Sequence, residues 1–167
     1  MTGRERAGVA LGTLLGAGYF PLGPGTLGSA LAVLMCVALG PVWRMGPVPL
    51  WRDGLLLLAG AALLYAPACW AAGVCEQVFS QKDPGRVVID EVVGQMITLA
   101  AVPGQLTWGG WKYWLAGLII FRVFDIAKPF PIRRLERLPG GFGVVTDDVA
   151  AGFYGYVVLK AAQFLGF

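Results

Sequence analysis

The stretch FRVFDIAKPFPIRRLERLPGGFGVVTDDVAAG, residues 121–152, decides how this chain is read. It sets Arg122, Asp125 and Lys128 at the end of one apolar segment, and the adjacent carboxylates Asp147 and Asp148 at the start of the next. The linker between them is basic and broken by Pro129, Pro131, Pro139, Gly140, Gly141 and Gly143. Ionisable groups at the mouths of apolar segments are costly, and they persist where they do chemistry or move ions.

Outward from this stretch, the whole chain is apolar. Its 167 residues allow one domain, 1–167. A hydrophobic content of 57%, 14% charged residues and a mean hydropathy of +0.68 lie outside the range of ordinary soluble domains. Several apolar stretches approach the roughly 20 residues that span a bilayer. The expected class is all-α: a polytopic membrane helical bundle with about five membrane-embedded helices and re-entrant or amphipathic segments. The basic residues lie in linkers, as suits an anionic leaflet. No basic surface interleaved with aromatics suggests nucleic acid. Cys36, Cys69 and Cys75 all lie within apolar segments and lack metal-ligand spacing, so they read as buried small hydrophobes. Arg4 and Arg6 before an apolar run imitate a signal peptide, but no A-x-A-like site follows, and the run is taken as mature chain.

In order, residues 7–20 are expected to form a short re-entrant or interfacial segment. Residues 21–25 form a Pro/Gly loop, with Thr26 as N-cap of a helix over 27–40. Residues 41–53 read as a proline-rich loop. Residues 54–79 are long enough to span, with Pro67 kinking or dividing them. A polar loop over 80–86 precedes a helix over 87–102, and a loop over 103–110 precedes a helix over 112–127. Trp108, Trp111, Tyr113 and Trp114 suggest an interfacial belt. Lys128, standing before Pro129, ends its helix. Residues 131–138 fit a short surface helix, and the last helix covers 146–164. With five crossings, the loops 18–26, 80–86 and 128–145 share one face. Lys82, Arg86, Lys128, Arg133, Arg134 and Arg137 are on that face, which the positive-inside bias makes cytoplasmic.

Six of the ten acidic residues, Asp83, Asp90, Glu91, Asp125, Asp147 and Asp148, fall on the same face. Like charges so gathered raise one another's pKa unless cations join them. Mg²⁺ fits an all-oxygen set that also admits water and phosphate. The absence of histidine and paired cysteines argues against zinc or copper. The candidate metal-binding and catalytic groups are therefore Asp90, Glu91, Asp125, Asp147 and Asp148. Neighbours on a helix point about 100° apart, so each adjacent pair divides its roles. Gly94 and Gly152, four residues after Asp90 and Asp148, allow close helix approach. The competing reading is that these acids are helix caps and ion pairs. Arg122 and Asp125 are three apart, so they form either an ion pair or a metal ligand beside a phosphate-binding fork. Lys128 would add a phosphate contact, as would Lys82. The loop GPGTLGS is glycine-rich before a helix, where Thr26 and Ser29 could donate to an anion or merely shape a turn. It lacks the lysine of a nucleotide-binding loop.

Together GYFPLGPGTLGS, KDPGRVVIDEVVG, FRVFDIAKPFPIRR and GGFGVVTDDVAAG resemble the phosphatidylglycerophosphatase A family over almost the whole chain. One departure is Gly23, where a larger apolar residue or Ala is expected. The resemblance implies an all-helical, Mg²⁺-dependent enzyme of the bacterial cytoplasmic membrane, with its active site facing the cytoplasm. It implies hydrolysis of the phospholipid phosphatidylglycerophosphate to phosphatidylglycerol and phosphate. It lays the family's acidic motif on Asp90 and Glu91, its FD-x-x-KP motif on Asp125 and Lys128, and its DD-x-x-AG motif on Asp147 and Asp148. Rival readings of the same carboxylates are a small ion-coupled transporter and a membrane scaffold held by ion pairs.

Overall fold

The computed structural model describes residues 1–43, 51–102, 104 and 107–166. These form seven α-helices: α1 (Gly3–Gly12), α2 (Pro24–Trp43), α3 (Trp51–Phe79), α4 (Ile89–Leu99), α5 (Trp111–Ala127), α6 (Ile132–Leu135) and α7 (Gly141–Phe164). Short 3₁₀ turns lie at Ala17–Tyr19 and Trp108–Gly110, and no strand occurs among the described residues. The all-α expectation is met.

The bundle is built around α4. All eleven of its residues are buried, and α2, α3, α5 and α7 pack around it. At about 1.5 Å per residue it is roughly 16 Å long, well short of the roughly 30 Å of a hydrocarbon core. Hydropathy over 87–102 cannot tell a helix wrapped by protein from one facing lipid, and here protein wraps it. Two described helices, α3 and α7, are long and apolar enough to cross a membrane, and α2 is apolar over the shorter run Pro24–Gly40. Their outer faces carry exposed Leu55, Leu56, Leu63, Phe153 and Val157, as a surface solvated by lipid requires. Buried Ala61, Ala68, Ala72, Val92, Val93 and Ile97 fill the interior, and all three cysteines are buried and free.

Several boundaries move for physical reasons. Pro24 opens α2, so Thr26 is in its first turn and is not its N-cap. Proline suits that place, because its missing N–H would have had no partner there anyway. Gly23 adopts φ +81°, so glycine supplies a left-handed residue there that the larger side chain expected at this position would strain. Helix α3 runs unbroken through Pro67. Residues 131–138 are helical only over Ile132–Leu135. Helix α7 starts five residues before the expected 146, because Gly141 and Gly143 serve close packing and do not break the chain. A Cβ on Gly143 would lie 2.6 Å from the carbonyl oxygens of Glu136 and Leu138, and one on Gly141 would lie 2.6 Å from the Gly73 nitrogen. Most of the loop expected over 41–53 lies outside the described residues, Arg44 included. So do residues 103, 105 and 106 of the loop expected over 103–110, and the Trp108 side chain.

The three loops assigned to one face do meet. Gly18 packs on the Arg86 backbone, Gly25 on Glu91 and Arg122, and Asp83 and Lys128 line one cavity.

Candidate active site

The cavity holds about 150 Å³ and is lined by Asp83, Asp90, Glu91, Asp125, Lys128, Asp147 and Asp148, among others. Its walls come from the 80–86 loop and from three helix ends. Asp90 and Glu91 occupy the first turn of α4, Asp125 the last turn of α5, and Asp147 and Asp148 the second turn of α7. Asp90, Glu91, Asp147 and Asp148 are each at most 9% exposed.

Glycines bring these elements together. A Cβ on Gly152 would lie 2.5 Å from the Gly94 carbonyl oxygen, and one on Gly94 would lie 2.6 Å from that of Asp148. Only bare backbones pack this closely. Thr98 Oγ1 hydrogen-bonds the carbonyls of Gly94 and Gly152, each at 3.2 Å, across the same seam. The α4–α7 contact thereby holds the first turn of one helix beside the second turn of the other. A carboxylate oxygen from each of Asp90, Glu91 and Asp148 lies within 4.8 Å of the others.

Three buried oxygens, Asp90 Oδ1, Glu91 Oε2 and Asp148 Oδ2, have no hydrogen-bond partner among the described residues. Three carboxylates so buried cannot all remain ionised without compensation. An oxygen-only set with open lone pairs is the donor chemistry of a hard divalent cation, so this cluster could hold a metal ion.

The other two candidate ligands in the cavity are engaged with cations. Arg122 Nη1 lies 2.8 Å from Asp125 Oδ2 and 3.6 Å from Glu91 Oε1, while the Arg122 Nε–H is buried without an acceptor. Lys128 Nζ donates to Asp147 Oδ2 at 2.6 Å and lies 3.4 Å from Glu136 Oε2. The other oxygen of Asp147 accepts the backbone N–H of Asp148 at 3.1 Å. Lys128 is the α5 C-cap, in a left-handed conformation (φ 42°, ψ 59°) ahead of Pro129. That conformation is costly for a residue with a Cβ, and it is a common way for a helix to end. Burial pulls its ammonium pKa down, but the hydrogen bond and charge of Asp147, with Glu136 and Asp83, outweigh this and hold it raised.

The remaining candidates lie apart. Thr26 is exposed and lines an apolar groove with Arg122. Ser29 is buried and its hydroxyl donates to the Gly25 carbonyl at 2.9 Å, inside its own helix. Lys82 lines a separate surface hollow with Glu76 and Arg137. Two residues outside the expected site set belong to the site. Asp83 lines the cavity, with its N–H bonded to Glu76 Oε1 at 3.1 Å, and Gly25 backs onto Glu91 and Arg122. A Cβ on Gly25 would lie 2.9 Å from Arg122 Nη1. The loop glycine therefore matters for what fits against it, a need that turn chemistry does not reveal.

Comparison with known proteins follows the same residues. The family described as Phosphatidylglycerophosphatase A matches residues 10–163. A Bacteroides thetaiotaomicron protein, provisionally named phosphatidylinositol-3-phosphatase, is 38% identical over 94% of this chain and 94% of its own length. A Haemophilus influenzae protein named phosphatidylglycerophosphatase A is 35% identical over 89% of this chain and 84% of its own. An Escherichia coli protein of the same name is 34% identical over 82% and 72%. No solved structure matches the chain.

Proposed function

Because the chain belongs to the phosphatidylglycerophosphatase A family, we propose that it hydrolyses phosphatidylglycerophosphate to phosphatidylglycerol and inorganic phosphate, using Mg²⁺ at the cytoplasmic face of the membrane. The observation that carries this reading is the set of three unpaired, buried carboxylate oxygens from Asp90, Glu91 and Asp148, flanked by Arg122 and Lys128. The names of the relatives support it chemically. Phosphatidylglycerophosphate and phosphatidylinositol 3-phosphate both carry a phosphomonoester on a head group beyond the phosphodiester.

Hydrolysis of a phosphate monoester is among the slowest uncatalysed reactions, so the site must lower a very large barrier. Asp90, Glu91 and Asp148 would hold the ion. When bound, Mg²⁺ supplies Lewis-acid polarisation of a phosphoryl oxygen and a more acidic water. Asp125 orients the Arg122 guanidinium, whose Nη1 lies 2.8 Å from Asp125 Oδ2 and 3.6 Å from Glu91 Oε1, beside the oxygens that would hold the ion. Asp147 does the same for the Lys128 ammonium. These two cations offset charge on the oxygens of the transferring group, the main term in phosphoryl transfer. A cavity carboxylate accepts the proton of the attacking water. The lipid chains stay in the bilayer while the head group reaches the site. The basic residues of the 80–86 and 128–140 loops support a cytoplasmic orientation. The carboxylates of the cavity are gathered at one end of the bundle, which favours hydrolysis at a membrane boundary over an ion path through the membrane.

The test is phosphate release from detergent-solubilised phosphatidylglycerophosphate, with and without EDTA. Release that EDTA abolishes and Mg²⁺ restores is expected. Release indifferent to EDTA refutes the metal site, and absence of release refutes the activity.

A further inference from the structure

Three hollows share wall residues at the C-terminal end of α5. The first is the acidic cavity. Lys128 lines both that cavity and a second hollow of about 410 Å³ over the turn into α6, whose walls include Phe130, Arg133 and Arg134. Ala127 lines the second hollow and also a third, of about 490 Å³, which runs along α5 past Ile119, Val123 and Ile126. Ala127 and Lys128 are consecutive, so the basic hollow shares one wall residue with the acidic cavity and the preceding one with the apolar groove, to which Arg122 also contributes. Acidic, basic and apolar walls therefore lie side by side around this helix end.

The basic hollow has charge to spare. Lys128 is engaged with Asp147 and Glu136. Arg133 and Arg134 are exposed, and neither pairs with a carboxylate among the described residues. The Arg134 guanidinium lies 4.8 Å from the centre of the Phe130 ring, a stacking that restrains a flexible side chain. Planar guanidinium forks without acid partners suit a phosphate group.

We infer that this hollow is the subsite for the phosphodiester of the lipid, so that the preferred substrates are phospholipids carrying both a diester and a terminal monoester. An acyl chain lies along α5, the diester meets Arg133 and Arg134, and the monoester enters the acidic cavity. The inference rests on the phosphatase reading above. A lipid whose monoester sits directly on diacylglycerol would leave the arginines without a ligand.

The test is phosphate release in mixed micelles by the full-length wild type, Arg133→Gln/Arg134→Gln, and a control with the same charge loss at the exposed Arg4 and Arg6 (Arg4→Gln/Arg6→Gln). Expected for the α6 variant is a KM for phosphatidylglycerophosphate raised about tenfold, with kcat within twofold, while the control stays within twofold in both. Phosphatidylglycerol keeps the diester and lacks the monoester. It should inhibit the wild type competitively and the α6 variant about tenfold more weakly. An unchanged KM, an equal rise in the control, a loss confined to kcat, or wild-type enzyme indifferent to phosphatidylglycerol would overturn the subsite. A wild type that releases no phosphate would instead sink the phosphatase reading itself.

Discussion

Gly152→Ala tests how the site is assembled. A Cβ at 152 would stand 2.5 Å from the Gly94 carbonyl oxygen and 3.0 Å from Gly94 Cα, both backbone atoms of a buried helix. Ordinary contact begins at 3.4 Å, so α4 and α7 must part by about 0.9 Å (3.4 − 2.5). Overpacking of this kind costs roughly 1–3 kcal/mol. The same displacement separates Asp90 and Glu91 from Asp148, and a misplacement near 1 Å costs on the order of 10²-fold in rate. Gly73→Ala is the control: its nearest neighbour outside its own helix would be 3.5 Å away, and alanine favours a helix interior by up to about 1 kcal/mol. With protein purified in detergent, Gly152→Ala should lose about 10²-fold in kcat/KM and need at least tenfold more Mg²⁺ for half-maximal activity, while Gly73→Ala keeps both. Wild-type kcat/KM and Mg²⁺ dependence in Gly152→Ala, or an equal loss in Gly73→Ala, would refute the reasoning.

Asp148→Asn and Asp90→Asn should each abolish phosphate release while the proteins still insert and purify, and activity above a few per cent in either would count against the three-carboxylate cluster. Asp83 bears on pH dependence: burial raises its pKa, Lys128 partly opposes the rise, and the charges of Glu136, Asp125 and Glu76 add to it. Its folded-state pKa therefore exceeds the unfolded value of about 3.9, the native state binds its proton more tightly, and stability falls as pH rises through that window. Asp83→Asn should accordingly be the more stable protein at neutral pH in EDTA, with the gap closing towards pH 4 in thermal melts; a constant gap would remove the argument. Ser29→Ala and Lys82→Gln should leave kcat/KM within twofold, since one hydroxyl is bonded within its own helix and the other side chain lines a separate hollow. A tenfold loss in either would return that residue to the site.

Much of this is written in local sequence, and the rest is not. Lys128 before Pro129 marks the end of α5 because the steric restriction is local, and acids at helix mouths stand out because their placement is costly. The start of α7 was hidden because glycine serves both to break helices and to let them touch, and only the packing partner decides which. Helix α4 read as a crossing because apolar side chains look alike whether protein or lipid surrounds them. Five carboxylates read as candidate ligands, with the roles inside each adjacent pair left open. Their division into three facing one another and two turned to Arg122 and Lys128 depends on side-chain distances between distant segments. Asp83 was legible as part of an acidic face, and its place in the cavity appears only once the 80–86 loop is laid over the helix ends.

The burial of α4 on every side also bears on how the protein is made. A segment this short, with two acids in its first turn, has little tendency to leave the translocation machinery for lipid by itself. We expect it to settle only once α5 and α7 have closed around it, so that α7, which starts some fifty residues later in the chain, would complete its placement. A chain ending at Gly140 should therefore leave a cysteine placed at Gln95 open to water-soluble thiol reagents, while the full chain should shield it.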